Sequence, residues 1–201
     1  MIKAVIFDVG GVLVRTMDRS GRHRWEVALG LNNGEAEELV FNSKMGWRAQ
    51  RGEITDADLW NWIGERLELS SAGLAAFQED FWSGDVLDEE LATLIRGLRT
   101  KYQTAIISNA TDALRGRLVT RYPIADAFDL IICSAEERIM KPDATIYMRA
   151  LGRLGVSADE TIFVDDFWEN IEAARNVGIE TIHYAPGVDV AARLLEHGVE
   201  R

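Results

Sequence analysis

The sequence predicts an α/β protein built on a five-stranded parallel sheet, and three observations lead there. First, the segments 3–8, 103–108, 129–133, 161–165 and 180–184 are apolar or rich in β-favouring residues, and helical patterns separate them from the second onward. Strands that alternate with helices imply a parallel sheet covered on both faces. Second, polar residues stand at the ends of these segments: Asp8 after the first, Ser108-Asn109 after the second, Asp165-Asp166 after the fourth. The carboxyl ends of the strands are where open α/β sheets bind ligands. Third, residues 16–84 carry helical signals and no convincing strand. That stretch is too long for a connecting loop. It predicts a helical cap seated over the strand ends, inserted into a core made of 1–15 and 85–201.

Taken in order, Ala4, Val5, Ile6 and Phe7 read as a strand buried on both faces, and Gly10-Gly11 follows as backbone able to bend tightly. In the insertion, Ala36, Leu39 and Val40 mark one helix. Thr55 with Asp58 resembles a capping box, with Leu59, Trp62, Ile63 and Leu67 at helical spacing behind it. Leu74, Phe77 and Phe81 mark a later helix. Trp25, Trp47, Trp60, Trp62 and Trp82 all fall in this block; most should fill a small core, with one or two left as pocket walls. The connectors near 14–19 and 82–87 are the expected hinges, with Gly84 as pivot. Leu87, Leu91, Leu94, Ile95 and Leu98 form one face of a helix over 87–98, and Ile146, Tyr147, Ala150, Leu151 and Leu154 one over 142–154. Shorter helices are expected over 112–121, 169–177 and 188–197. Pro142 suits a first helical turn and would leave Lys141 at a helix N-terminus close to the strand ends.

Composition narrows the partners. Hydrophobic residues make up 47% of the 201 residues, charged residues 27%, and the formal net charge is −11. That excess of acid argues against nucleic acid or an anionic membrane surface. A phosphorylated substrate would need local positive charge or a bound cation. The lone Cys133 excludes an internal disulfide and reads as a buried thiol in an apolar run. With neither a signal-peptide layout at the N-terminus nor an apolar run of membrane-span length, the expectation is a cytoplasmic protein. Oligomeric state leaves no signal in the sequence.

The polar strand ends suit phosphoryl transfer. An ionised Asp8 could attack phosphorus in line and form an aspartyl-phosphate. Because carboxylate and phosphate repel, a cation must bridge them. Asp8 with Asp166, and Asp165 as a further candidate, offers hard oxygen ligands suited to Mg²⁺. Lys141 would act as a point cation. The Ser108 hydroxyl and the backbone or side-chain amide of Asn109 would donate to phosphoryl oxygens.

The set Phe7-Asp8-Val-Gly-Gly-Val-Leu13, Ser108-Asn109, Lys141-Pro142 and Val164-Asp165-Asp166 with Asn170 resembles the haloacid dehalogenase (HAD) superfamily, over the whole chain. The closest likeness is to its helical-cap branch, with sugar-phosphate phosphatases similar to α-D-glucose-1-phosphate phosphatase and the epoxide hydrolase phosphatase domain. The resemblance implies a Rossmann-like core with strand order 5-4-1-2-3. It also implies a Mg²⁺-dependent phosphatase of small phosphorylated metabolites. It makes Asp8 nucleophile and metal ligand, gives the metal the Gly10 carbonyl and Asp166 with Asp165 beside it, and places Ser108, Asn109, Lys141 and Gly11 around the phosphoryl group, with Asn170 orienting the acidic loop.

Two positions depart from the family pattern. Most of its phosphatases carry a second Asp, a general acid and base, where this chain has Gly10. Asp18, His23 or water could replace it. Arg138 stands where glycine is common, either to tighten a turn or to bring a cation near the site. Two other readings compete. In a 2-haloacid dehalogenase, Asp8 would attack carbon without metal, and Arg48, Arg51 or another cap arginine would hold the substrate carboxylate. The other is a non-catalytic phosphoryl-binding module.

Overall fold

A computed structural model describes residues 1–200. In chain order the elements are β1 (Ala4–Phe7), β2 (Val14–Thr16), α1 (Ser20–Leu29), α2 (Glu35–Glu37) running into a π-turn at Glu38–Asn42, α3 (Lys44–Gln50), α4 (Asp56–Arg66), α5 (Ser71–Ser83) and β3 (Asp85–Leu87). They continue with α6 (Glu89–Leu98), β4 (Gln103–Ser108), α7 (Leu114–Thr120), β5 (Leu130–Cys133), α8 (Ser134–Glu137), α9 (Ala144–Leu154), β6 (Thr161–Asp165), α10 (Trp168–Val177), β7 (Glu180–His183) and α11 (Val190–Glu196).

The main sheet is parallel throughout, in the order β5-β4-β1-β6-β7. The expected 5-4-1-2-3 differs in its labels because two short strands, β2 and β3, went unforeseen. They form a separate antiparallel pair, Val14 opposite Leu87 and Thr16 opposite Asp85. With that pair set aside, the neighbours within the main sheet are those expected and β1 is central. β1 is buried along its whole length, as a strand flanked on both sides and covered on both faces must be. Its alternate residues feed two cores. Val5 and Phe7 join Ile106, Val164, Leu94 and Leu118 on one face; Ala4 and Ile6 join Phe163, Ile146 and Tyr147 on the other.

Two helix starts also differ from expectation. Leu87 lies in β3, and α6 begins only after Asp88, whose side chain accepts from the Leu91 N–H. Pro142 stands before α9 rather than in its first turn; Asp143 caps that helix by accepting from Thr145 N–H at 2.8 Å, and the Lys141–Pro142 peptide is cis. The missing N–H of a proline is harmless outside the helix as well as at its first position.

Helices α1–α5 lie between β2 and β3 and have a hydrophobic cluster of their own, with Ala36, Val40, Leu59, Trp60, Ile63, Phe77 and Phe81 at its centre. The Thr55/Asp58 capping box is present at the start of α4. Trp60 is enclosed, edge-on to Phe77, Phe81 and Trp82 at 5.7–6.4 Å between ring centroids. Trp25, Trp62 and Trp82 pack around that cluster, and Trp47 is exposed. The two connectors run side by side: Met17 N–H donates to the Gly84 carbonyl at 2.8 Å, and a side chain at Gly84 would collide with the Asp18 carbonyl. Gly84 is therefore required by close approach. No helix among the described residues is long and apolar enough to cross a membrane.

Because Trp60 fills the centre of the block's own cluster, Trp60→Ala should destabilise the protein by about 3–5 kcal/mol, read as a lowered denaturant midpoint. A midpoint within error of the parent would mean that the block has no packed core.

Candidate active site

Sheet register brings the acids together. Phe7 pairs with Val164 and the Asp8 N–H donates to the Val164 carbonyl at 2.9 Å, so Asp8 and Asp165 leave adjacent strands at the same edge. Phe7 also pairs with Ile106 on the other side, which sets Ser108 at the neighbouring strand end. Lys141 comes from a loop and is held by its backbone. The Asn109 side chain accepts from Lys141 N–H at 2.8 Å and donates to the Lys141 carbonyl at 2.9 Å. So clamped, the lysine sends Nζ to within 2.9 Å of Asp8 Oδ1 and 2.6 Å of Asp165 Oδ2. Asp8, Lys141 and Asp165 are respectively 8%, 3% and 0% exposed.

Asp165 is saturated. Besides Lys141 it accepts from the Phe167 N–H at 2.8 Å and from Asn170 Nδ2 at 3.0 and 3.1 Å. Asp166 is different: its Oδ1 is buried and has no hydrogen-bond partner. An unpaired buried carboxylate oxygen is costly unless something else meets it. Gly11, at φ 78°, lies against that carboxylate so closely that any side chain there would overlap Asp166. Oxygens of Asp8, Asp165 and Asp166 lie within 4.8 Å of one another.

Three carboxylates face one ammonium, and the charge is unbalanced. Burial, opposed by Lys141 and reinforced by Asp165, pushes Asp8 up to about 6. Burial and then Asp165 raise Asp166 above the usual carboxylate range. Burial pulls the Lys141 ammonium down, but Asp8 and Asp165 outweigh it and leave its pKa raised. The orphaned Asp166 oxygen and an all-oxygen donor set fit a hard divalent cation.

The structure thus gathers Asp8, Lys141, Asp165 and Asp166 at one point, with Gly11 against Asp166 and Ser108 at the neighbouring strand end. Ser108 is 4% exposed, and its hydroxyl has no hydrogen-bond partner among the described residues, so it is free to meet a ligand. Of the two Asn109 groups expected to donate to a ligand, the side-chain amide holds Lys141 with its oxygen and one of its hydrogens. Gly10 is exposed, with open space where a side chain would stand. Asp18 is engaged by the Ser20 N–H and hydroxyl, which hold its carboxyl below the usual range, the wrong direction for a proton donor. The His23 ring is largely exposed and lies 3.6 Å from Glu26. Arg138 ends α8 in left-handed conformation, φ 56°, at a turn. The Asn109 clamp escaped sequence reading because its partner is 32 residues away.

A sequence profile of haloacid dehalogenase-like hydrolases matches residues 2–178, most of the chain. The chain belongs to the haloacid dehalogenase-like hydrolase family. Among curated proteins it is 30% identical to the sesquiterpene phosphatase AstK of Aspergillus oryzae, over 90% of this chain and 89% of that one. Its fold matches a HAD-family enzyme of Bacteroides thetaiotaomicron solved as a magnesium complex, with TM-score 0.79 and 25% identity over 96% of this chain and 98% of that chain. It also matches the L-2-haloacid dehalogenase of Xanthobacter autotrophicus, with TM-score 0.65 and 26% identity over 98% and 84%.

If a cation relieves the charge around Asp166, Mg²⁺ should raise the melting temperature of the parent protein. Asp166→Asn should remove that response while leaving the metal-free protein at least as stable, because one repelling carboxylate is gone. Gly11→Ala should lose both stability, by about 1–3 kcal/mol, and the response to Mg²⁺. An undiminished Mg²⁺ shift in Asp166→Asn would place the cation elsewhere.

Proposed function

We propose that this HAD hydrolase is a Mg²⁺-dependent phosphatase of small phosphate monoesters, sugar phosphates or similar metabolites, with Asp8 as nucleophile. The observation that carries this reading is the buried convergence of Asp8, Lys141 and Asp166, with one Asp166 oxygen unpartnered. Asp8, Asp166 and the Gly10 carbonyl would hold the cation, with Asp165 beside them. When bound, the cation screens charge between the carboxylates and the phosphoryl oxygens.

The residues divide the work. Asp8 Oδ attacks phosphorus while the alkoxide or its protonated form leaves, and water then hydrolyses the aspartyl-phosphate. Lys141 keeps Asp8 ionised and oriented and faces the phosphoryl charge. The Ser108 hydroxyl and the backbone N–H groups at Asn109 and Gly11 donate to phosphoryl oxygens. Helices α1–α5, the segment 16–84 between the hinges, serve as the cap that excludes water and selects the leaving group. The core is then 1–15 with 85–201.

The dehalogenase reading is weaker. A carboxylate substrate is repelled by Asp165-Asp166, and the arginines suggested for holding it, Arg48 and Arg51, already face Glu53 at 3.2 and 3.9 Å. The non-catalytic reading leaves the retained Asp8–Lys141 pair without a purpose.

Hydrolysis of p-nitrophenyl phosphate should require Mg²⁺ and fall by at least about 1,000-fold in Asp8→Asn. Turnover without metal, or full activity in the variant, would overturn the proposal. The space at Gly10 gives a second expectation. Gly10→Asp should raise turnover of an alkyl phosphate toward the roughly 100-fold that a positioned general acid supplies. Turnover of p-nitrophenyl phosphate, whose leaving group needs no proton, should barely change. Equal effects on both substrates would mean that another group already supplies the proton.

A further inference from the structure

Away from the acids, one enclosed hydroxyl joins three segments that lie far apart in the chain. Ser134 opens α8 directly after β5 and is fully buried. Its Oγ donates to the Gln50 carbonyl at 2.6 Å, a partner 84 residues away, and accepts from the Ala110 N–H at 2.9 Å. Gln50 is the last residue of α3 in the helical block, and Ala110 follows Ser108-Asn109. The seam is tight on both sides of this bond. Gly52, at φ 66°, meets the Ala135 carbonyl where a side chain would overlap it. Further along, Asp56 accepts from Thr111 Oγ1 at 2.7 Å and from Arg117 Nη2 at 3.1 Å, and its N–H donates to Asp112 Oδ1 at 2.8 Å.

The hydroxyl has one proton and two acceptors. Its better acceptor is the Gln50 carbonyl of the block; the second, at 3.2 Å, is the carbonyl of Ala110 itself. When the block is seated, the proton goes to Gln50 and Ser134 holds the 110 turn only as an acceptor. Were the Gln50 carbonyl withdrawn, the acceptor already within reach of that proton would be the Ala110 carbonyl at 3.2 Å, on the turn that carries Ser108-Asn109.

We infer that Ser134 is a positioning residue that couples the seating of the helical block to the geometry of the Ser108-Asn109 turn. The inference rests on the phosphatase reading of that turn and adds to it the route by which phosphate at the core is felt in the block. No reacting atom is touched by Ser134, so its effect is indirect.

Hydrogen exchange tests this, with Mg²⁺ and inorganic phosphate as the probe, in peptides covering 108–112 and 49–59. In the parent, phosphate should slow exchange in both. In Ser134→Ala the slowing at 108–112 persists, while that at 49–59 shrinks by about fivefold, roughly what one hydrogen bond contributes. A block that still responds in full in Ser134→Ala overturns the coupling. So does a parent that responds at 108–112 but not at 49–59, an outcome that leaves the phosphatase reading intact. A parent that responds in neither segment overturns both readings. Should Ser134→Ala fail to fold, Gly52→Ala carries the same expectation, since it forces the block off Ala135 and leaves the hydroxyl in place.

Discussion

Lys141 Nζ lies between Asp8 and Asp165, 2.9 Å from one and 2.6 Å from the other, almost without water. Taking three ionised groups out of water costs several kcal/mol per ion, and their attraction offsets this only when geometry is tight and the remaining valences are satisfied. That condition explains much of the surrounding structure. Asn109 fixes the Lys141 backbone from both sides. Asn170 and the Phe167 N–H complete Asp165. Tyr147 buries its ring against Phe163 and donates to the Asn170 carbonyl at 3.0 Å, steadying the residue that steadies Asp165. The ammonium thereby becomes a fixed charge, and a fixed charge costs no reorganisation when an anionic ligand arrives.

The same arrangement leaves a deficit on the far side. Asp165 is spent on Lys141, while oxygens of Asp8 and Asp166 lie within 4.8 Å of each other and Gly11 packs against the Asp166 carboxylate. Gly11 keeps that side narrow; Gly10 keeps it open to solvent. A fold that satisfied every buried polar group would have given the buried Asp166 oxygen a donor. Leaving a carboxylate oxygen orphaned in an otherwise well-bonded centre is the kind of local inconsistency that marks a ligand site.

Much of this was legible in the sequence, for a physical reason. Strands buried on both faces must be apolar, so Ala4–Phe7 and Thr161–Asp165 announce themselves, and an acid at the end of such a run stands out. The helical block was equally plain, since its apolar residues repeat at helical spacing and its capping box is local. What stayed hidden depends on partners distant in the chain. The β2–β3 pair is two three-residue segments joined across the whole block, too short to show a period. Nothing near Asn109 tells that its side chain is occupied by Lys141, and nothing near Ser134 tells that it reaches Gln50. Asp165 and Asp166 are neighbours in sequence, yet one is consumed by structure and the other keeps an unpartnered oxygen, a division that only the fold decides.

Mass spectrometry of the acid-quenched enzyme during turnover of a phosphate ester with Mg²⁺ addresses the central claim most directly. The account predicts the added mass of one phosphoryl group on the peptide that contains Asp8, absent in the Asp8→Asn protein. A phosphoryl group found on another residue, or turnover that continues with Asp8 never modified under conditions that preserve acyl phosphates, would contradict it.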